Sequence, residues 1–338
     1  MAILVTGGAG YIGSHAVQRL LADGHAVVAV DNMARGNAGA VTRLRTLGGD
    51  RFEFELADTT DRTLMEKLLR EHRISAVLHF AALSLVGESV EKPLDYHRNN
   101  SLVAILEAVR SARVPRFIFS STCAIYGQPP GMPVDEQAPR APISPYGVSK
   151  LHGEQVLGDF AHAARERGSP FACAALRYFN VAGCDRGGVL GEDHTPHMHL
   201  IPIVLEVALG KRETISIFGD DYDTPDGTCI RDYIHVEDLV DAHLRVLDAL
   251  RDGDRRAYNL GIGRGYSVKE VIESCRRVTG HDIPAEVAPR RPGDPPALYA
   301  NPAQVQEELG WTASVQELDA IVESAWKWMH AHPAGYAS

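Results

Sequence analysis

The chain has 338 residues, with 34 Lys and Arg against 44 Asp and Glu and a formal net charge of −10. That acidic balance argues against a protein that works by neutralising nucleic-acid phosphates. A mean hydropathy of −0.14, with no apolar run near the roughly twenty residues that span a bilayer, argues against a membrane partner.

Taken in chain order, short runs rich in Val, Ile, Phe and Ala predict strands at residues 3–5, 27–30, 52–56, 76–80, 117–120 and 173–176. Amphipathic spacing predicts helices at 12–21, 63–70, 102–110 and 150–165. Continuous apolar strands alternating with helices predict an α/β, Rossmann-type doubly wound parallel sheet covered on both faces. After about residue 181 the rhythm breaks, and Gly and His accumulate. A dinucleotide-binding domain over 1–180 and a smaller mixed α/β substrate domain over 181–338 are expected, with 230–250 packing back onto the first. The start, Met1-Ala2 followed at once by a strand, carries no basic segment or cleavage site. The five cysteines include no C-x-x-C. A reducing cytoplasm is expected.

Between the first strand and the first helix lies Thr6-Gly7-Gly8-Ala9-Gly10-Tyr11-Ile12-Gly13, and Asp31 closes the next strand. Glycines Gly7, Gly10 and Gly13 let backbone amides approach a pyrophosphate at a helix N-terminus. Asp31 suits an adenosine ribose diol and would repel a 2′-phosphate, which favours NAD over NADP. Asp58, after the third strand, suits adenine or a helix cap; Asn99, in a helical pattern, suits a cofactor contact or a surface amide.

The second motif is Ser144-Pro145-Tyr146-Gly147-Val148-Ser149-Lys150. Ser before Pro predicts an N-cap and a first helical residue. Tyr146 and Lys150 then share one helical face. A free phenol titrates near pH ~10. A neighbouring ammonium favours the phenolate and makes it a usable base. Thr122, at the end of the fifth strand, can bond the hydroxyl that Tyr146 deprotonates.

These motifs stand with His79-Phe80-Ala81-Ala82, Val86-Gly87-Glu88-Ser89-Val90, Arg177-Tyr178-Phe179-Asn180, Ile217-Phe218-Gly219, Arg231-Asp232-Tyr233-Ile234-His235 and Ala288-Pro289-Arg290-Arg291-Pro292-Gly293-Asp294. In that order and spacing, up to the closing His332-Pro333-Ala334-Gly335-Tyr336, the chain resembles the UDP-glucose 4-epimerase family of extended short-chain dehydrogenase/reductases. The resemblance implies tightly held NAD. Its contacts would fall at the three glycines and at Tyr11, Ile12, Asp31, Asn32, Asp58, Thr59, Phe80, Ala81, Ala82, Asn99, Tyr146, Lys150 and Phe179. It implies a UDP-hexose held by Thr122, Tyr146, Asn180, His199, Leu200, Ser216, Ile217, Phe218, Arg231, Arg291, Asp294 and Leu298. Catalysis would rest on Tyr146, Lys150 and Thr122, by transient oxidation at sugar C4, rotation of the 4-keto sugar and return of hydride to its opposite face.

Rival readings share the fold. A 4,6-dehydratase carries Asp-Glu after the threonine and a decarboxylase carries Glu there, whereas this chain has Cys123-Ala124. A non-catalytic NAD-sensing protein would typically have lost Tyr146 or Lys150. Activity on UDP-N-acetylhexosamines is the closer alternative. Leu298 is intermediate in bulk and cannot bond an acetamide, which predicts a preference for unacetylated sugars. Ser84 stands where many relatives place lysine. Glu192, Asp193, His194, His197 and His199 lie in a Gly-rich stretch read as a polar entrance loop, so no metal is expected. Cys123 has no activating His nearby in sequence, and Trp326 and Trp328 read as packing anchors. A homodimer is expected through the helix of Tyr146 and the helix at 102–110, with Ala161, Ala163 and Ala164 small enough for close packing.

Overall fold

β1 (Ala2–Thr6), β2 (Ala26–Asp31) and β4 (Ala76–His79) bury nearly every residue, as strands covered on both faces must. β3 (Phe52–Leu56) alternates with Glu53 and Glu55 and sits at the sheet edge. With β5 (Arg116–Thr122), β6 (Ala172–Tyr178) and the later β11 (Arg255–Leu260), they form a seven-stranded sheet in the order β11-β6-β5-β4-β1-β2-β3. The pairs β1–β2, β1–β4, β2–β3 and β4–β5 are parallel. Between strands run α1 (Tyr11–Ala22), α2 (Ala38–Gly48), α3 (Arg62–Glu71), α4 (Val86–Glu91), α5 (Pro93–Asn99), α6 (Val103–Ala112) and α7 (Pro145–Glu166). Leu4, Val30, Met65, Val77, Leu106 and Phe117 lie in one buried cluster of this core.

The computed structural model describes residues 1–194, 196–291 and 293–336. Pro292 of the last quoted motif lies outside them. The chain divides into two compact units. One comprises Met1–Pro129, Glu136–Arg177 and Val240–Tyr258; the other comprises Pro130–Asp135, Tyr178–Leu239 and Asn259–Ser338. A single cut at residue 180 therefore does not describe the division: 130–135 goes with the second unit and 240–258 with the first.

The second unit contains β7 (Asn180–Ala182), α8 (Leu200–Ala208), β8 (Ile215–Phe218), β9 (Ile230–Arg231) and β10 (Tyr233–His235). α9 (Val236–Ala249) runs from it into the first unit. β12 (Tyr266–Ser267), α10 (Val268–Thr279), β13 (Ala285–Ala288), β14 (Ala297–Leu298), α11 (Ala303–Leu309) and α12 (Leu318–Ala331) follow. Its strands make three small sheets, β10–β7, β12–β9–β14 and β13–β8. The strand-like run at 230–235 is broken at Asp232. Its buried carboxylate accepts the amides of Ile262, Gly263 and Ala300, and burial raises its pKa to about 6.

Three helices of the first unit were not anticipated. α2 buries only Ala40, Val41, Leu44 and Gly48, two of them too small to mark an apolar face, and α4 and α5 are too short to show a period and expose Val86, Val90 and Leu94. α7 begins five residues before the expected 150, where the Ser144-Pro145 signal puts it. Ser144 Oγ accepts the Gly147 amide at 3.1 Å. Among the described residues no helix is long and apolar enough to cross a membrane.

Candidate active site

In this strand order the chain reverses direction across the sheet between β1 and β4, and a crevice opens at the carboxyl ends of such strands. Thr6, Asp31, His79 and Ser120-Ser121-Thr122 all stand at those ends. The glycine loop joins β1 to α1. Gly7 has φ +70°, and a Cβ on it would meet the Ala81 amide nitrogen at 2.7 Å. A Cβ on Gly13 would lie 2.0 Å from the Gly7 carbonyl oxygen. Gly10 caps α1 without a side chain, and the first turn of α1 carries no acid. This cradle of backbone fits a dinucleotide's pyrophosphate, since first-turn amides lack helical partners.

Around the loop, Asp31 is buried and accepts the amides of Ala9 at 3.1 Å and Met33 at 2.9 Å. Burial raises its pKa against those bonds. It thus holds the glycine loop. Asn32 donates to Asp58 at 2.9 Å. Burial pushes Asp58 up, but the Thr60 and Asn32 bonds outweigh it and lower the pKa. Thr59, Phe80, Ala81 and Ala82 are half-buried, and the Phe80 ring lies 4.9 Å from that of His243. Tyr11 is buried and Ile12 half-buried in the first turn of α1. Asn99 shares the Leu83 amide with Asn100, at 3.1 and 2.9 Å.

Tyr146 and Lys150 lie one turn apart on α7, both buried. Lys150 Nζ donates to the Ser120 carbonyl at 2.7 Å and sits 4.9 Å from the Phe119 ring centroid. Burial pulls its pKa down to about 7. His79, 2.8 Å from Thr6 Oγ1, is neutral, with burial and then Lys150 pulling its pKa to about 3. Thr122 Oγ1 accepts the Ala124 amide at 3.2 Å in the turn after β5.

Sequence reasoning missed the layer beneath. Tyr96 stands edge-on to Tyr146, and its hydroxyl donates to Glu88, which Arg35 bridges at 2.6 Å. Asn100 donates to Ser149 Oγ, which in turn bonds the Tyr146 carbonyl. Glu154 takes the Arg177 guanidinium in a fork at 2.9 and 2.7 Å and accepts from Ser121 at 2.6 Å. Signals existed: Asn99 has a twin at 100, and Glu154 is one turn beyond Lys150.

In the second unit, Phe218, Arg231, Arg291 and Asp294 are brought together. Arg291 lies 4.7 Å from the Phe218 ring centroid and 3.0 Å from Asp294, and Arg231 stands 3.6 Å from the same carboxylate. Leu298 is buried and registers opposite Arg231 across β14–β9. β8 holds Ser216 and Ile217 and pairs only with β13 among the described residues. Phe179 is buried, and Asn180 opens β7 with its amide on the Asp232 carbonyl at 3.0 Å. His199 precedes Leu200 at the start of α8, 2.6 Å from Glu192. Glu192 raises the His199 pKa. Burial raises Glu192, but the two histidines beside it outweigh that and hold it to about 2. The loop read as open and polar therefore contains a buried carboxylate with His194 and His199 on it, an arrangement residue spacing alone does not show. Ser84 is exposed.

Residues 3–261 match the profile of the NAD dependent epimerase/dehydratase family. The chain belongs to that family. Among its relatives, a UDP-glucose 4-epimerase of Halalkalibacterium halodurans is 50% identical over 100% of this chain and 98% of its own length. A probable UDP-arabinose 4-epimerase of Arabidopsis thaliana is 46% identical over 99% of this chain and 82% of its own. The crystal structure of the Bifidobacterium longum UDP-glucose 4-epimerase in complex with NAD+ and UDP is 41% identical, with a TM-score of 0.93, and covers 99% of this chain and 100% of that one. The glycine loop lies between β1 and α1, and the Tyr146–Lys150 pair lies on α7.

Proposed function

We propose that the protein interconverts UDP-glucose and UDP-galactose. What supports this reading is the Tyr146–Lys150 pair on α7, tied to the carboxyl end of β5 by the Lys150 bond to Ser120, with Thr122 closing that strand and a glycine cradle that fits NAD following β1. Gly7, Gly10, Gly13, Asp31, Asp58 and Asn99 would hold the dinucleotide, which when bound supplies a reversible hydride acceptor. Tyr146 Oη takes the proton of the sugar 4-hydroxyl and returns it after the sugar has turned over. Thr122 fixes that hydroxyl, and Lys150 supplies the positive charge that favours the phenolate. Arg231 and Arg291 would meet the diphosphate, with Asp294 keeping both guanidinium groups in place beforehand. The hexose itself needs looser contacts than the nucleotide, because it must present both faces.

No carboxylate follows Thr122, so the donor for a dehydratase's elimination is missing from that stretch. Incubating the purified protein with UDP-galactose and following UDP-glucose by proton NMR tests the reading. Conversion is expected, and Tyr146→Phe should reduce it by about 10²–10⁴-fold; an unaltered rate would remove Tyr146 from the chemistry. Leu298 offers no hydrogen bond to an acetamide, so UDP-galactose should outpace UDP-N-acetylgalactosamine, and equal rates would refute that preference. A homodimer is supported by Val103 on α6 and Val148 on α7, which are 50% and 41% exposed; a single-chain mass by light scattering would refute it. Five free thiols suit a reducing cytoplasm.

A further inference from the structure

Glu192 is 3% exposed, and its Oε1 lies 2.6 Å from His199 Nδ1 and 3.2 Å from His194 Nδ1. One ligand atom from each residue falls within 4.8 Å of the other two. Among the described residues no lysine or arginine bridges Glu192, so its buried charge is compensated through the two imidazoles. Residues 191–193 are firmly seated. A Cβ on Gly191 would strike the Trp328 ring at 2.0 Å, the Gly191 amide donates to the Tyr336 hydroxyl at 2.8 Å, and Asp193 accepts the Tyr336 amide at 2.9 Å. Preorganisation of this kind is what a metal site needs from its support.

We propose that Glu192, His194 and His199 form a binding site for a divalent transition cation of the zinc class. Two imidazole nitrogens and a carboxylate oxygen suit such an ion, whose bonds of about 2.0–2.2 Å set tetrahedral donors roughly 3.4 Å apart. On loading, the 2.6 and 3.2 Å contacts would open toward that spacing, the cation taking the place of the protons now shared with Oε1. His199, with 44% of its side chain exposed, leaves an approach from solvent. Three protein ligands leave a fourth position for water, so the ion should exchange.

The test needs no sugar nucleotide. Full-length protein dialysed against EDTA is titrated with zinc chloride by calorimetry, and with cobalt chloride while its visible spectrum is recorded. The expected result is one zinc per chain, visible bands of low-coordinate cobalt, and a rise in Tm with zinc. His194→Gln should weaken zinc at least ~10-fold and abolish the Tm rise. His197→Gln, on the same loop but outside the cluster, should change neither. Circular dichroism checks that each variant is folded, and Glu192→Gln provides a second disruption if His194→Gln is not. Absence of a stoichiometric site, or zinc binding that survives both disruptions or depends on His197, would overturn the proposal.

Discussion

Replacing Lys150 by Met should separate stability from activity. The ammonium is 2% exposed, with one carbonyl and one aromatic face as compensation, and burial brings its pKa from 10.5 to about 7. Below about pH 7 Lys150 is protonated in folded and unfolded chains alike, and the folded state bears the whole cost of burying the charge. Above that, the unfolded chain keeps a proton that the folded chain has released, and stability rises with pH by about 1.4 kcal/mol per unit until the unfolded group also titrates. Across the full window this amounts to roughly 5 kcal/mol, and to about 2 kcal/mol between pH 7 and 9, since the slope is still building at pH 7. Methionine keeps the length and removes the titration. Urea unfolding of wild type and Lys150→Met at half-unit steps from pH 7 to 9 should show the wild type gaining on the variant as pH rises. The variant should lose about 10²–10⁴-fold in turnover. Weaker cofactor binding by the variant would add an offset but no slope. A difference that stays flat over that range would refute the assignment of a depressed Lys150 pKa.

Gly13→Ala forces a methyl to 2.0 Å from the Gly7 carbonyl, so the loop must move, and calorimetry should show NAD binding weakened more than about tenfold. Arg177→Met removes the guanidinium fork from buried Glu154 and leaves it Ser121 and the looser, half-exposed Arg140 at 3.9 Å. Breaking such a pair costs about 3–5 kcal/mol, read as a fall in urea stability, whereas removing the exposed Arg62–Glu107 bridge should cost under about 1 kcal/mol. Arg231→Ala removes a charge-assisted contact worth about 1.5–3 kcal/mol, and should raise KM for UDP-galactose by about 10–150-fold while changing kcat less.

What was legible in the sequence was what is local. The glycine loop, Asp31 at the end of β2, the Ser144 cap and the Tyr146–Lys150 spacing are each set within a turn or a strand, and the structure places them where their spacing puts them. Pairings across long separations were not legible. Arg177 meets Glu154 because β6 lies next to β5 under α7, and Arg231 meets Asp294 only because β14 returns beside β9. The histidine-rich loop gave no sign that Glu192 turns inward, since burial there follows from Gly191 packing on Trp328, more than a hundred residues away. Short helices such as α4 and α5 escape periodicity, because fewer than two turns contain no repeat to read.

Isotope tracing at the reacting carbon tests the central claim most directly. UDP-galactose carrying deuterium at C4 is incubated with the purified protein, and the UDP-glucose formed is examined by NMR and mass spectrometry. Deuterium leaves C4 and returns to the same carbon from the other side without meeting water. The account therefore predicts UDP-glucose with the label retained at C4. Loss of the label to solvent, or no UDP-glucose at all, would contradict it.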